Sequence, residues 1–498
     1  MKKKKLIEIA ILIILVAVEL LIGLQIFQLN IIPMKYFMML VIAVIVIDLM
    51  IAGLVFSHNK KKCNLRCILG YFLSVLVVVV LLLASRGISK IKETMDAVTQ
   101  TTQVSAVFEL YVLKEDAADS LEDVQDYKIA VIESVDSENT KIVLDAMESS
   151  FGQAVQSVNY DNLFVMVDAL YEKEIGALLI NSAYVDLITE FENYTDFLKR
   201  VKCIWQYDIH QSVDIDIDDN SEKEIVVEEK SEYAPFIVYI SGSDTLSRTL
   251  KTSRSDVNIL AVVNPQTEQI LLVNTPRDYY IPNPAGNGAL DKLTHCGIYG
   301  INCSVQALSD LYDEEILYYG QINFTGFETL IDAIGGVDVY SDVEFSIPEI
   351  NCYYKQGWNH LNGTQALVFA RVRHGLKGGD NARGQNQMQV IKAVINQISA
   401  ENIITNYSEI MDSLQGMFAT NISSEKISSL VKLQLSEMPH WDVKSYAVTG
   451  HGDSAKTYSI PGMNAYVMRP NQETVDHAKM LINKVMSGEI LTDVNKED

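Results

Sequence analysis

Three apolar runs occupy most of the first 85 residues, at 6–29, 36–56 and 67–85. Each is long enough to cross a bilayer as a helix, since a hydrocarbon core of about 30 Å takes about 20 residues. The first is too long for a signal peptide and carries no small-residue cleavage site. Glu19 sits mid-span in it and reads either as functional or as packed inside the helix bundle. Lys2–Lys5 and the loop with Lys60, Lys61, Lys62 and Arg66 share one side by parity of three crossings. The positive-inside tendency places that side in the cytoplasm. The expected topology is a multi-pass cell-membrane protein with a cytoplasmic N-terminus and everything after about residue 86 extracellular.

The part outside the anchor is acidic. Up to Arg66 the chain holds nine basic and three acidic residues, which leaves 31 basic and 61 acidic beyond it. Nucleic acid is a poor partner for such a surface, because binding it requires basic surface. Against that background any cluster of arginines is conspicuous. No cysteine pair has CxxC spacing, so zinc or a redox dithiol is not indicated. An oxidising exterior would allow Cys296 to pair with Cys303 or Cys352.

Residues 86–125 read as a juxtamembrane helix and a polar connection. Beyond them, short apolar runs alternate with helical patterns: a strand at 128–133, helices at 140–149 and 162–173, a strand at 177–180 and a helix at 185–198. This alternation is expected of a small α/β unit, with no catalytic constellation of its own. The acidic run 214–229 reads as a solvated linker, lacking the glycine and spacing of a calcium loop.

A second unit begins near Tyr233. Three apolar runs, 236–240, 257–263 and 270–273, are bounded by Gly242-Ser243-Asp244, Arg254-Ser255-Asp256 and Pro276-Arg277-Asp278. Asn264-Pro265-Gln266-Thr267 is a turn signal, so the last two runs form a hairpin. With the first run also antiparallel, Asp244, Arg254, Asp256 and Arg277 share one rim of a sheet. Two carboxylates and two guanidiniums there suit a metal ion and a phosphate. Further on, a helix at 324–334 stops at Gly335-Gly336, a strand follows at 337–345, and a run ends in Arg371-Val372-Arg373. Read as a strand, that run puts both arginines on one face, where they repel unless an anion lies between them. A helix at about 382–399 opens with Arg383 and Gln387 on one face of its anion-favouring N-terminus. Asp380 precedes it as an N-cap, a general base, or both. His295 and His374 have no metal-ligand spacing. Helices are also expected at 303–312, 424–436 and 471–487.

The spelling of this unit resembles the LytR-CpsA-Psr family of Gram-positive cell-envelope proteins over about residues 232–490. The stretches that carry it include Gly242-Ser243-Asp244, Arg254-Ser255-Asp256, Thr275-Pro276-Arg277-Asp278, Asp291-Lys292-Leu293-Thr294-His295, Ile322-Asn323-Phe324-Thr325-Gly326-Phe327, Leu361-Asn362-Gly363-Thr364-Gln365-Ala366-Leu367, Arg371-Val372-Arg373 and Gly379-Asp380. The expected α/β fold has three parts: a membrane anchor at 1–86 and a small α/β accessory domain with its linker at 87–230, both read from the residue patterns, and a catalytic domain at 231–488, for which the resemblance implies an α/β/α fold with a mixed sheet, before a tail at 489–498. It implies that Asp244 and Asp256 bind Mg²⁺ or Mn²⁺. Arg254, Arg277, Arg371, Arg373, Arg383 and Gln387 would grip a pyrophosphate, with Arg254, Arg277, Arg371, Arg373 and Asp380 in catalysis. The implied substrate is a glycopolymer on a polyprenyl-pyrophosphate carrier and the implied acceptor is peptidoglycan, joined through a phosphodiester. The three-helix anchor and extra α/β domain resemble the capsule-associated branch. Asn386 departs from the family pattern, which often has a second arginine there, as do Cys296 and Cys303. Hydrolysis by water at the same groups, or a non-catalytic regulatory role, stays open at this point.

Overall fold

The computed structural model describes residues 2–56, 63–100, 103–212, 233–245, 247–372, 380–398, 410 and 414–494. The linker 214–229, Arg373 and His374 lie outside the described residues. The chain divides into two compact units, Met1–Thr99 with Gln397–Gln415 and Ile422–His440, and Gln100–Asn396 with Gly416–Asn421 and Trp441–Asp498.

The first unit is built on helices α1 (Lys2–Leu29), α2 (Met34–Val55) and α3 (Cys63–Gln100). Glu8–Leu29, Met34–Val55 and Leu65–Glu93 are each long and apolar enough to cross a membrane. Leu15, Ile51 and Val55 form a narrow packed seam, while Leu20, Leu49, Leu69 and their neighbours stay exposed. That distribution suits segments solvated by lipid rather than by protein, and the three helices anchor the chain in a membrane. Helix α3 continues past residue 85 into the expected juxtamembrane helix as one element ending at Gln100, with no proline in the polar stretch to break it.

The second unit holds two main sheets. The first contains β1 (Gln103–Leu113), β2 (Ile129–Val131), β3 (Ser157–Asn159), β4 (Ala177–Asn181) and β5 (Val201–Ser212), in the order β3-β2-β4-β1-β5. Helices α4 (Glu133–Phe151), α5 (Leu163–Tyr171) and α6 (Ala183–Glu190) connect them. Strand β1 replaces the polar connection expected there. It lies between β4 and β5 with most side chains from Ala106 to Val112 buried on both faces, so it lacks the period-two pattern that marks a half-exposed strand. The expected helix at 185–198 is broken. Helix α6 ends at Glu190, and Phe191 turns extended with its ring 4.5 Å from that of Phe164.

The second sheet holds β6 (Phe236–Ser243), β7 (Ser255–Asn264), β8 (Gln269–Asn274), β9 (Tyr318–Asn323), β10 (Phe418–Thr420) and β11 (Asp442–Ala447), in the order β10-β9-β6-β7-β8-β11. Strands β6, β7 and β8 run antiparallel in sequence, while β9 pairs parallel with β6 and β11 parallel with β8. The β7–β8 turn is closed by Asn264, whose side-chain oxygen accepts from the amides of Gln266 and Thr267 at 3.0 and 3.3 Å. Helices α7 (Ile301–Tyr312), α8 (Phe324–Ala333), α9 (Gly363–Arg371), α10 (Asp380–Gln397) and α11 (Gln472–Ser487) complete this part. Alternation along the strands gives two cores. Leu260, Val262, Leu271 and Val273 pack with α7 and α11, and Ile259, Ala261, Ile270 and Leu272 pack with Met388 of α10. The result is a mixed sheet with helices on both faces.

The run ending at Arg371 is a helix, not a strand. A capping box starts it: the Asn362 side chain accepts from the Gln365 amide, and the Gln365 side chain accepts from the Asn362 amide. Gly363 lets α9 approach α8, since a Cβ there would meet the Glu328 carbonyl oxygen at 2.2 Å. The pairing that an oxidising exterior would allow is not formed in this structure. Cys296, Cys303 and Cys352 are free and buried, with Cys296 and Cys303 packed as small apolar groups in one core.

The two sheets share an apolar seam. Ile298, Tyr299 and Ile460 pack with Tyr184, Leu187 and Ile188 of α6. The Tyr184 and Tyr299 hydroxyls lie 3.0 Å apart, and Tyr299 continues to the Ser459 hydroxyl at 3.0 Å.

Candidate functional site

The ends of β6 and β7, the corner after β8, and helices α9 and α10 converge on one cavity of about 850 Å³. Its lining joins two kinds of surface. Asp244, Arg254, Asp256, Arg277, Arg371, Arg383 and Gln387 supply polar groups, and Glu190 joins them from α6. Ile240, Val257, Ile322, Phe324, Phe327, Ile347, Leu367, Val390 and Ile391 supply an apolar wall. Seven sequence-predicted residues thus meet at one site. Arg373 lies outside the described residues, and Asp380 opens α10 at the level of the backbone.

Asp256 is the centre of the charged part. Arg277 Nη1 donates to Asp256 Oδ1 and Oδ2 at 2.9 and 3.0 Å. Arg383 approaches the same carboxylate at 3.9 Å and donates to the Asp256 carbonyl at 3.2 Å. Thr294 Oγ1 adds a longer contact at 3.4 Å. Burial by itself would raise the Asp256 carboxyl, but Arg277, then Arg383 and Arg254, outweigh it and hold it below the ordinary aspartate range. Asp244 differs. Burial, then the nearby Asp256 charge, raise its carboxyl, and Arg254 at 3.4 Å offsets part of that.

The guanidiniums are strongly held yet not saturated. Burial opposes the charge on Arg277, but Asp256 and then Asp278 raise its affinity for its proton. Arg254 is likewise opposed by burial and favoured by Glu190 and Asp256. The Nε atoms of Arg254 and Arg277 are buried and make no hydrogen bond among the described residues, although Arg277 Nε faces the Asp278 carboxylate at 3.7 Å. The buried Arg254 Nε in this state suits an anionic group entering the cavity. Arg371, at the exposed end of α9, lies over the Phe324 ring at 4.3 Å. Gln387 is buried on the first turns of α10.

The Asp291–His295 segment braces this corner. His295 Nδ1 lies 2.6 Å from Asp291 Oδ1, and Asp291 Oδ2 accepts from Asn283 at 3.0 Å and from the Ser459 amide at 3.1 Å. The Thr294 amide donates to the Arg277 carbonyl at 2.9 Å. His295 is therefore structural. Asn386 donates to the Phe369 carbonyl at 3.0 Å, so this departure from the usual arginine ties α10 to α9.

Glu190 was not anticipated. Its carboxylate accepts from Arg254 Nη1, across 64 positions in sequence. The available hint was Asp186 and Glu190 four apart on a mostly apolar helix, but no local pattern names the partner of such a pair.

Fold and site together define a membrane-anchored α/β protein with an arginine-rich pocket at the edge of an apolar cavity. The chain belongs to the LytR-CpsA-Psr family: the model described as the LytR_cpsA_psr family matches residues 204–478. It is 31% identical over 226 residues to the polyisoprenyl-teichoic acid–peptidoglycan teichoic acid transferase TagU of Bacillus cereus, covering 45% of this chain and 72% of that one. The TagU of Oceanobacillus iheyensis is 31% identical over 282 residues, covering 54% and 84%. A crystal structure of a Streptococcus agalactiae protein is 28% identical with a TM-score of 0.45, covering 52% of this chain and 91% of that one.

The opposite directions of the two aspartates give a test. A carboxyl held below its unfolded value stabilises the fold above that value and loses the contribution as pH falls through the folded one; a raised carboxyl contributes with the reverse sign. Asp256→Asn should therefore destabilise the protein at neutral pH by about 3 kcal/mol, leaving buried Arg277 with only the longer Asp278 contact at 3.7 Å. Asp244→Asn should cost less than about 1 kcal/mol or stabilise. Thermal unfolding of the detergent-solubilised protein ranks them, and the reverse ranking contradicts this electrostatic reading.

Proposed function

We propose that this chain is an extracellular phosphotransferase that moves a glycopolymer, capsular or teichoic-acid-like, from a polyprenyl-pyrophosphate carrier to peptidoglycan. The observation that carries the reading is one cavity holding four guanidiniums at its polar part and an apolar wall beside them. A pyrophosphate satisfies the first and a prenyl chain the second. The names of the TagU relatives describe transfer of this kind in those proteins.

Arg254, Arg277, Arg371 and Arg383, with Gln387 and with Arg373 as read from the sequence, hold the two phosphates. Arg forks match phosphate oxygens and remain charged throughout, so they stabilise charge that grows on the leaving phosphate. A peptidoglycan hydroxyl attacks the sugar-linked phosphorus, its proton passing to a base for which Asp380 is the proposed group. The new P–O bond forms as the bridging P–O bond breaks and polyprenyl phosphate departs. Asp244 and Asp256 fit a divalent cation, Mg²⁺ or Mn²⁺. They offer hard oxygen donors, and the charge that burial and then the nearby Asp256 disfavour on Asp244 is what a cation would stabilise. Two carboxylates with substrate phosphates are a common way to hold Mg²⁺. When bound, the ion supplies further positive charge beside the phosphate oxygens. The proposed orientation follows the lysines of the anchor, with the N-terminus cytoplasmic and the two sheets outside.

The full-length protein, given a lipid-pyrophosphate-linked saccharide and peptidoglycan, should join them. Arg277→Ala should cut turnover by about 100-fold, and chelation should stop it until Mg²⁺ is restored. Acidification should weaken the response to restored Mg²⁺, because protonated Asp244 cannot hold the ion. Saccharide released but never joined indicates a hydrolase, and full turnover in Arg277→Ala removes the arginine assignment. Orientation is tested separately with a membrane-impermeant maleimide on intact cells. Exposed Cys203 should label; labelling that requires broken cells places the sheets inside.

A further inference from the structure

We propose that Glu190, carried by the first sheet, is an internal competitor for the pyrophosphate at Arg254, and that the headgroup must displace it to bind. The inference rests on the reading of the cavity as a pyrophosphate site and adds a part of the chain that the reading did not use.

The charged contacts in the cavity are not alike. Arg277 and Arg383 are tied to Asp256, a largely buried residue at the start of β7, and Arg277 also faces Asp278 at 3.7 Å. Arg254 is tied to Glu190 and, at 3.4 Å, to Asp244. The Arg254 side chain is 7% exposed and that of Glu190 is 40% exposed. The cation is thus fixed and its carboxylate partner is solvated enough to leave. Water pays little attention to a buried guanidinium, but it readily takes back a half-exposed carboxylate.

Glu190 is also well mounted. It is the last residue of α6, after which Phe191 turns the chain extended. The helix is held in place by buried Tyr184, Leu187 and Ile188, and by the Tyr184–Tyr299 contact between the sheets. Only the side chain at the end of this mount has to move. Asp186, one turn earlier, has its carboxyl raised by burial, with Arg254 lowering it and Glu190 and Asp256 raising it. That repulsion acts on Glu190 where it sits against Arg254, so it weakens the carboxylate's hold and favours its exchange for an incoming phosphate. A carrier that has lost one of its two phosphates competes less well with this carboxylate, so the same contact favours release of the polyprenyl phosphate product.

The test uses full-length protein in detergent and geranylgeranyl pyrophosphate as the probe, with affinities measured by calorimetry. Glu190→Gln keeps the shape and removes the competing charge, and should bind the probe about fivefold more tightly than the native protein. In an Arg254→Ala background the same substitution should change nothing. Equal or weaker binding by Glu190→Gln overturns the proposal, as does an equal gain with Arg254 absent. A different result tests the underlying reading: if the native protein binds geranylgeraniol as tightly as the pyrophosphate, or Arg277→Ala binds the pyrophosphate as well as native, the cavity is not a pyrophosphate site.

Discussion

The arrangement depends on one buried carboxylate, Asp256, held among guanidiniums. Arg277 meets it through two short contacts, and Arg383 and Arg254 add to the positive field that keeps it ionised. Burying several arginines together is costly unless anions offset them. Asp256 offsets part of that cost, and Asp244, Glu190 and Asp278 at the edge of the cluster offset more of it. Its place at the start of β7 follows from the antiparallel β6–β7–β8 path, which returns the ends of β6 and β8 to the same rim. The site is therefore a product of strand order before it is a product of side chains.

The second constraint is the apolar wall next to this charge. In water, an open cavity lined by Ile322, Phe327, Ile347 and Val390 has no evident use for a phosphate site alone. It becomes sensible for a ligand with one anionic end and one hydrocarbon end. The membrane anchor belongs to the same logic, since such a ligand resides in lipid. Helices α8 and α9 connect the two surfaces: Gly363 lets them pack closely, and Arg371 at the end of α9 lies over Phe324 at the start of α8.

Much of this was legible from residue patterns. The three membrane helices, the β7–β8 hairpin at Asn264, the stop at Gly335-Gly336 and helix α10 each carry a local signal. Strand β1 did not, because a strand buried on both faces loses the alternation by which strands are read. The segment before Arg371 was misread because two arginines two apart looked like one strand face, while the decisive signal lay upstream in Asn362 and Gln365. Cys296 and Cys303 suggested a crosslink but fill apolar space. Glu190 could not be read at all, since its meaning comes from a helix of one sheet docking beside a strand of another, and periodicity within a segment carries no such information.

The central claim is that a single ligand spans both surfaces, with its phosphates at the arginines and its chain along the apolar wall. It is tested most directly by a prenyl pyrophosphate bearing a photoreactive diazirine at the far end of the chain, crosslinked to the full-length protein in membranes and mapped by mass spectrometry. The account predicts adducts on the cavity-lining residues near 322–327, 346–350, 367–372 and 390–391, suppressed by unlabelled prenyl pyrophosphate. Adducts confined to the membrane helices or to outer surfaces, with none in the cavity, would contradict it.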